Sequence, residues 1–119
     1  MEIKLRRVYE GVADNDGLRI LVDKLWPRGI KKTALPYDIW AKKVTPSDAL
    51  RRLFHLDPER NWEAFAAGYA DELHHSEALQ SLVAQIKALN PPCVTLLYAF
   101  RNTEKNHALI LKQAIEQVL

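Results

Sequence analysis

Apolar residues along this chain fall into two spacings, one of period two and one of helical period. From Ile3 to Tyr9, Ile3, Leu5 and Tyr9 share one side and Lys4, Arg6 and Val8 the other, which predicts a strand with mixed faces. Leu18 to Leu25 carries an unbroken Ile20-Leu21-Val22 centre, the pattern of a strand buried on both faces. Val94-Thr95-Leu96-Leu97-Tyr98 is a second run of that kind. Turn chemistry separates the first two: Asp14-Asn15-Asp16-Gly17 must bend the chain, because Asx side chains bond their own backbone and glycine accepts positive φ. Trp26-Pro27-Arg28-Gly29 ends the second, since Pro27 has no N–H for a ladder.

Helical spacing takes over after residue 44. Thr45, Pro46 and Asp48 read as an N-cap, a first-turn proline and a first-turn acid, opening a short helix to about Phe54. Asp57-Pro58-Glu59 repeats the device ahead of Trp62, Phe65, Ala66, Tyr69 and Leu73, a core-facing stripe. Ser76-Glu77 opens a third helix, with Leu79, Leu82, Val83, Ile86 and Leu89 inward and Asn90-Pro91-Pro92 as its stop. Thr103 is the expected cap of a last helix carrying Ala108, Leu111, Ala114, Ile115 and Val118 on its inner face. Residues 30–44 show no decisive period. The order of elements predicts an α/β fold: a single compact layered domain, 1–119, with a small, largely parallel central sheet flanked by helices.

Composition narrows the function classes. Seventeen Lys and Arg against 15 Asp and Glu leave a formal charge of +2, far from the balance of a dedicated nucleic-acid binder. One cysteine, Cys93, permits no internal disulfide, and no apolar run is long enough to span a bilayer. The N-terminus lacks the apolar core of a signal peptide, so the expectation is a cytoplasmic protein with no membrane partner. A homodimer is compatible with the chain but not encoded legibly.

Ligands of open α/β sheets bind outside the carboxyl ends of the strands. That rule nominates two loops: one with Asp23, Trp26 and Arg28, the other with Tyr98, Arg101, Asn106 and His107 around a helix start. Unpaired N–H groups at a helix N-terminus, with Arg28 and Arg101 nearby, suit phosphate, sulfate or carboxylate, so a small anionic, nucleotide-like ligand is expected. In a catalytic version, a metal-free hydrolase or transferase, His107 is the acid or base, Asp23 orients it or a water, and Arg28 stabilises developing negative charge.

Plainer readings stand beside these. Asp23 and Arg28 could form an ion pair that closes the turn, and His107 could be a structural imidazole. Asp57 reads as an N-cap, and His55 is a weaker candidate than His107. His74-His75 lack the four-residue spacing of a helical metal pair, so no metal or other cofactor is expected. Cys93 reads as an inert core thiol. Lys4, Arg6 and Arg7, with the pairs Lys31-Lys32 and Lys42-Lys43, support an alternative: a noncatalytic nucleic-acid- or protein-binding regulator. No P-loop, GxGxxG or GxSxG is present.

Several landmarks occur together: Arg7-Val8-Tyr9, the stretch Leu21-Val22-Asp23-Lys24-Leu25-Trp26-Pro27-Arg28-Gly29, then Trp40, His55 with Asp57-Pro58, and Asn106-His107. With these the chain resembles the YeaO-like branch of the domain-of-unknown-function 488 family along nearly its whole length. The resemblance implies a compact α/β domain and carries no assigned activity. In longer branches of the family the last-helix motif resembles Cys-His-Arg. Here it is Asn106-His107-Ala108, so thiol chemistry is not carried over.

Overall fold

The computed structural model describes residues 1–119. Its single sheet holds β1 (Glu2–Arg7), β2 (Leu18–Leu21), β3 (Ile39–Trp40) and β4 (Cys93–Tyr98) in the order β1-β4-β2-β3, with every pairing parallel. The two strands expected to be central are neighbours, with Ile20 opposite Leu96 and Leu21 opposite Leu97. Both are shorter or differently bounded than their apolar runs. β2 ends at Leu21, although the Val22 N–H still donates to the Leu97 carbonyl at 2.9 Å. β1 stops at Arg7, where Val8–Glu10 coil into a 3₁₀ turn and leave Tyr9 exposed.

The four helices are α1 (Asp48–Leu56), α2 (Pro58–His74), α3 (Glu77–Leu89) and α4 (His107–Val118). Two caps are not those expected. Ser47, not Thr45, caps α1, its hydroxyl accepting the Leu50 N–H at 3.3 Å. Asn106, not Thr103, caps α4, because the Asn102 carboxamide accepts the Glu104 and Lys105 N–H groups and holds that segment in a turn. Asp57 and Ser76 cap α2 and α3 as their spacing predicts.

Alternation along the strands sends two sets of side chains to two faces, and the faces differ. Ile3, Ile20, Val22, Val94, Leu96 and Tyr98 join a core of 20 buried residues to which all four helices contribute. On the opposite face Val8, Leu21, Leu35 and Leu97 form a small cluster, roofed by Trp26, Ile30, Trp40 and Ala99. The helices therefore cover one face, and irregular chain covers the other. Residues 30–44 supply that roof with Leu35 and the two-residue β3, too short for any period to announce it. Beneath it, buried Asp16 pairs with Arg6 and Arg19, and Arg19 Nε donates to the Pro36 carbonyl at 2.8 Å.

Gly17 is required where the turn meets the sheet. Its φ is +64°, and a Cβ there would lie 2.3 Å from the Cys93 carbonyl oxygen. Cys93 itself is half-buried at the strand entry, its thiol donating to the Asn15 carbonyl, and not the core residue expected. No helix is long and apolar enough to cross a membrane.

Candidate functional site

Parallel pairing of β2 with β4 puts the loops that follow them side by side. Between them lies a cleft of about 590 Å³, within the usual range for small-molecule sites. Of the residues expected to act, Asp23, Arg28, Arg101 and His107 line it. Tyr98 and Asn106 do not, and both are buried. The Tyr98 ring belongs to the helix-side core, where burial first and Glu10 second raise its hydroxyl pKa. Both ends of the Asn106 carboxamide are engaged: Oδ1 accepts the Leu109 N–H at 2.9 Å and Nδ2 donates to the Asn102 carbonyl at 3.0 Å.

Asp23 and His107 meet, but not as a simple hydrogen-bonded pair. The imidazole Nε2 donates to the Val22 carbonyl at 2.9 Å, which fixes the proton on that nitrogen in the neutral ring. Asp23 Oδ1 lies 3.2 Å from the same nitrogen, out of line with the N–H, and is buried with no hydrogen-bond partner. Asp23 Oδ2 accepts the Ala99 N–H at 3.0 Å and so ties the β2 loop to the β4 loop. The Asp23–Arg28 ion pair of the plainer reading is not formed: the carboxylate faces His107 and Ala99.

Charge in the cleft is one-sided. Arg7, Lys24, Arg28, Arg51 and Arg101 line it against the single carboxylate of Asp23. Lys24 and Arg51 share Asp48 at its edge, whose carboxyl their hydrogen bonds hold down at about 2. Arg28 and Arg101 are exposed and have no carboxylate in ion-pair range. The apolar part of the wall includes Val22, Trp26, Phe54 and Phe100, with Phe54 and Phe100 ring centroids 4.9 Å apart. No three His, Cys, Asp or Glu side chains are grouped to hold a metal ion.

The profile described as the inactive DUF488-N3 subclade matches residues 2–119. The chain belongs to this family. It is 46% identical over 111 residues to the uncharacterized protein YeaO of Escherichia coli, spanning 93% of this chain and 94% of that one. Uncharacterized proteins of Mycobacterium tuberculosis and Mycobacterium bovis are each 41% identical over 113 residues, 95% of this chain and 92% of theirs. No solved structure matches the chain. The family resemblance is thus confirmed, and Val22 to Arg28 of the Leu21–Gly29 stretch form the β2 side of the cleft.

In this DUF488-N3 chain, sequence reasoning missed Arg7, Arg51 and Phe100 as cleft residues. Arg7 ends β1, in register with Tyr98 of the neighbouring strand, and its guanidinium forks to two carbonyls: Nε to Phe100 at 3.0 Å and Nη2 to Ala99 at 3.0 Å. Tyr9 lies against the same guanidinium, 5.0 Å from ring centroid to Cζ, and its hydroxyl donates to the Arg28 carbonyl at 3.0 Å. Arg7 and Tyr9 therefore link both cleft loops to the first strand. The strand-end rule nominates Arg7 once β1 is known to adjoin β4, and that adjacency is not written in any local pattern.

Proposed function

We propose that this protein is a noncatalytic binder of a small, multiply charged anion of the phosphomonoester type, held in the cleft between the β2 and β4 loops. The observation that carries the reading is the concentration of five cationic side chains against one carboxylate, in a chain whose formal charge is only +2. Arg28 and Arg101 are the groups assigned to the anion, since neither is neutralised by a neighbour. The guanidinium fork suits phosphate oxygens. The apolar wall of Trp26, Phe54 and Phe100 suits a flat ring on the ligand, as in a nucleotide. The N-terminal basic residues give no competing surface: Lys4 bonds the Asn15 carbonyl, Arg6 pairs with Asp16, and Arg7 holds Ala99 and Phe100.

The contact of Asp23 with His107 is the one feature that favours a hydrolase or transferase. Against it stand the commitment of Nε2 to a backbone carbonyl and the description of the family as inactive. Nδ1 is the nitrogen left to act as a base.

A thermal-unfolding titration with thymidine monophosphate and pyrophosphate tests the reading. At 100 times its dissociation constant a bound ligand adds about 2.7 kcal/mol, a rise of roughly 10 °C for a chain of this size. Arg28→Gln and Arg101→Gln should each remove most of that rise while leaving the unliganded midpoint in place. A rise that survives both substitutions, or no rise with either anion, overturns the proposal. Phosphoester turnover that is abolished by His107→Gln would replace binding with catalysis.

A further inference from the structure

The cleft does not end at its own rim. A depression of about 480 Å³ adjoins it through the shared residues Phe100 and Arg101 and adds Lys105, while one of about 580 Å³ adjoins it through Arg51 and His55 and adds Arg52. The three depressions are thus neighbours that share wall residues, and together they make up a composite recess.

Charge is sorted into that recess. It holds seven Lys and Arg and three carboxylates, those of Asp23, Asp48 and Glu59. Taking these from the 17 cations and 15 acids of the chain leaves ten against twelve, so the rest of the molecule is acidic on balance. Such segregation is an electrostatic footprint, where the overall charge of +2 suggested none. The free cations are also spread out: Arg28 in the cleft, Arg101 at the first junction, Lys105 beyond it and Arg52 beyond the second. They are distributed over three adjoining depressions and not gathered in one.

Flat and apolar side chains stand among these cations. Phe100 is shared by the cleft and one neighbour, and the exposed His55 by the cleft and the other, their ring centroids 6.2 Å apart. Leu25 and Leu56, 71% and 81% exposed, stand in the same recess. Adjoining depressions that combine positive charge with ring side chains match a strand whose bases are unpaired. A duplex keeps its bases stacked inside and offers only its backbone.

We infer that the recess is a binding track for single-stranded nucleic acid, with one nucleotide in the central cleft and the flanking phosphates on the Lys105 and Arg52 sides. The inference rests on the anion reading of the cleft and extends it from a monomeric to a polymeric ligand. Single-strand-binding OB folds, another small architecture, occupy about four or more nucleotides each, so a hexanucleotide is a suitable probe of the track.

Fluorescence anisotropy with labelled thymidine monophosphate and a labelled hexathymidylate, at low and moderate salt, separates the two claims. The hexamer should bind the wild-type protein at least about tenfold more tightly than the monomer, with a steeper salt dependence, since each neutralised phosphate of a single strand contributes about 0.7 to the slope. The double substitution Arg52→Gln with Lys105→Gln, both at exposed positions, should reduce hexamer affinity to near that of the monomer and leave monomer binding unchanged. Equal affinity for monomer and hexamer overturns the track and leaves the small-anion reading standing. Binding of neither overturns both. Hexamer binding that ignores the double substitution, or that duplex DNA or polyglutamate displaces as well as unlabelled hexamer, also overturns the track.

Discussion

Asp16 shows how much one side chain holds in place. It is 1% exposed, yet ionised, and its partners come from its own turn and from three different strands of the sheet. Its carboxylate accepts the Ala13 N–H at 3.0 Å and pairs with Arg6 at 3.1 Å and with Arg19, while its carbonyl accepts the Thr95 hydroxyl at 2.6 Å. Burial opposes the charge, but the Ala13 N–H and the two guanidinium groups outweigh it and hold the carboxyl below its ordinary 3.8. The unfolded chain therefore binds the proton more tightly than the folded one. The stabilisation is complete above about pH 4 and is lost as pH falls through the lower folded value. Asp16→Asn leaves Arg19 buried without a counterion and should cost about 3 kcal/mol at neutral pH, measured by urea denaturation. It should also flatten the loss of stability between pH 4 and pH 2 seen in the wild type. If the variant and the wild type lose stability in parallel over that interval, the assignment to Asp16 fails. The Asx-Gly turn was legible in Asp14-Asn15-Asp16-Gly17; the buried network was not, because Arg6, Arg19 and Thr95 meet Asp16 only through the sheet.

At the scale of elements, two of the four helix starts were read from the right residue types at the wrong positions, while Asp57 and Ser76 cap α2 and α3 where they were expected. Thr45 and Ser47 both qualify ahead of Asp48, and the fold uses Ser47, whose N–H donates to Glu72 Oε1 at 3.0 Å and anchors α1 to α2. Thr103 and Asn106 both qualify ahead of the last apolar stripe, and the turn centred on Asn102 decides between them. The strands were clearer, since the apolar runs at Ile20-Leu21-Val22 and Val94–Tyr98 mark their burial whatever their ends. β3 was not legible at all, because two residues carry no period. The shift from Thr103 to Asn106 changes what Asn106 does: its carboxamide closes the first turn of α4 and does not face the cleft. Asn106→Ala should destabilise the fold by about 1–2 kcal/mol, the cost of a lost cap, with the dissociation constant for thymidine monophosphate unchanged. Asn106→Asp, which keeps an acceptor for the Leu109 N–H, should recover part of that loss. A binding defect in the alanine variant without a stability defect would instead make Asn106 a ligand contact.

Across the whole molecule the cleft depends on two loops far apart in sequence staying in register with a third segment at the N-terminus. Arg7 supplies that link, joining residues 92 and 93 positions away through the Ala99 and Phe100 carbonyls. Tyr9 carries it on to the Arg28 carbonyl. Half of the candidate site was legible because the Asp23–Arg28 and Arg101–His107 segments each follow an apolar run. The other half was not, because which strand lies beside which is decided by long-range packing. The arrangement makes a sharp distinction between charge and shape at Arg7. If Arg7 acts on the anion only as a positive charge, Arg7→Lys is neutral. If it acts by holding the β4 loop, a single ammonium cannot reproduce a fork to two carbonyls. We expect the second outcome: Arg7→Lys should lower stability by about 1 kcal/mol, the net worth of a hydrogen bond. It should weaken thymidine monophosphate binding by about tenfold, equivalent to about 1.4 kcal/mol. Isothermal titration and urea denaturation of the same variant measure both. An unchanged dissociation constant would show that the cleft holds its shape without the fork, and would leave Arg7 acting on the anion as a positive charge alone.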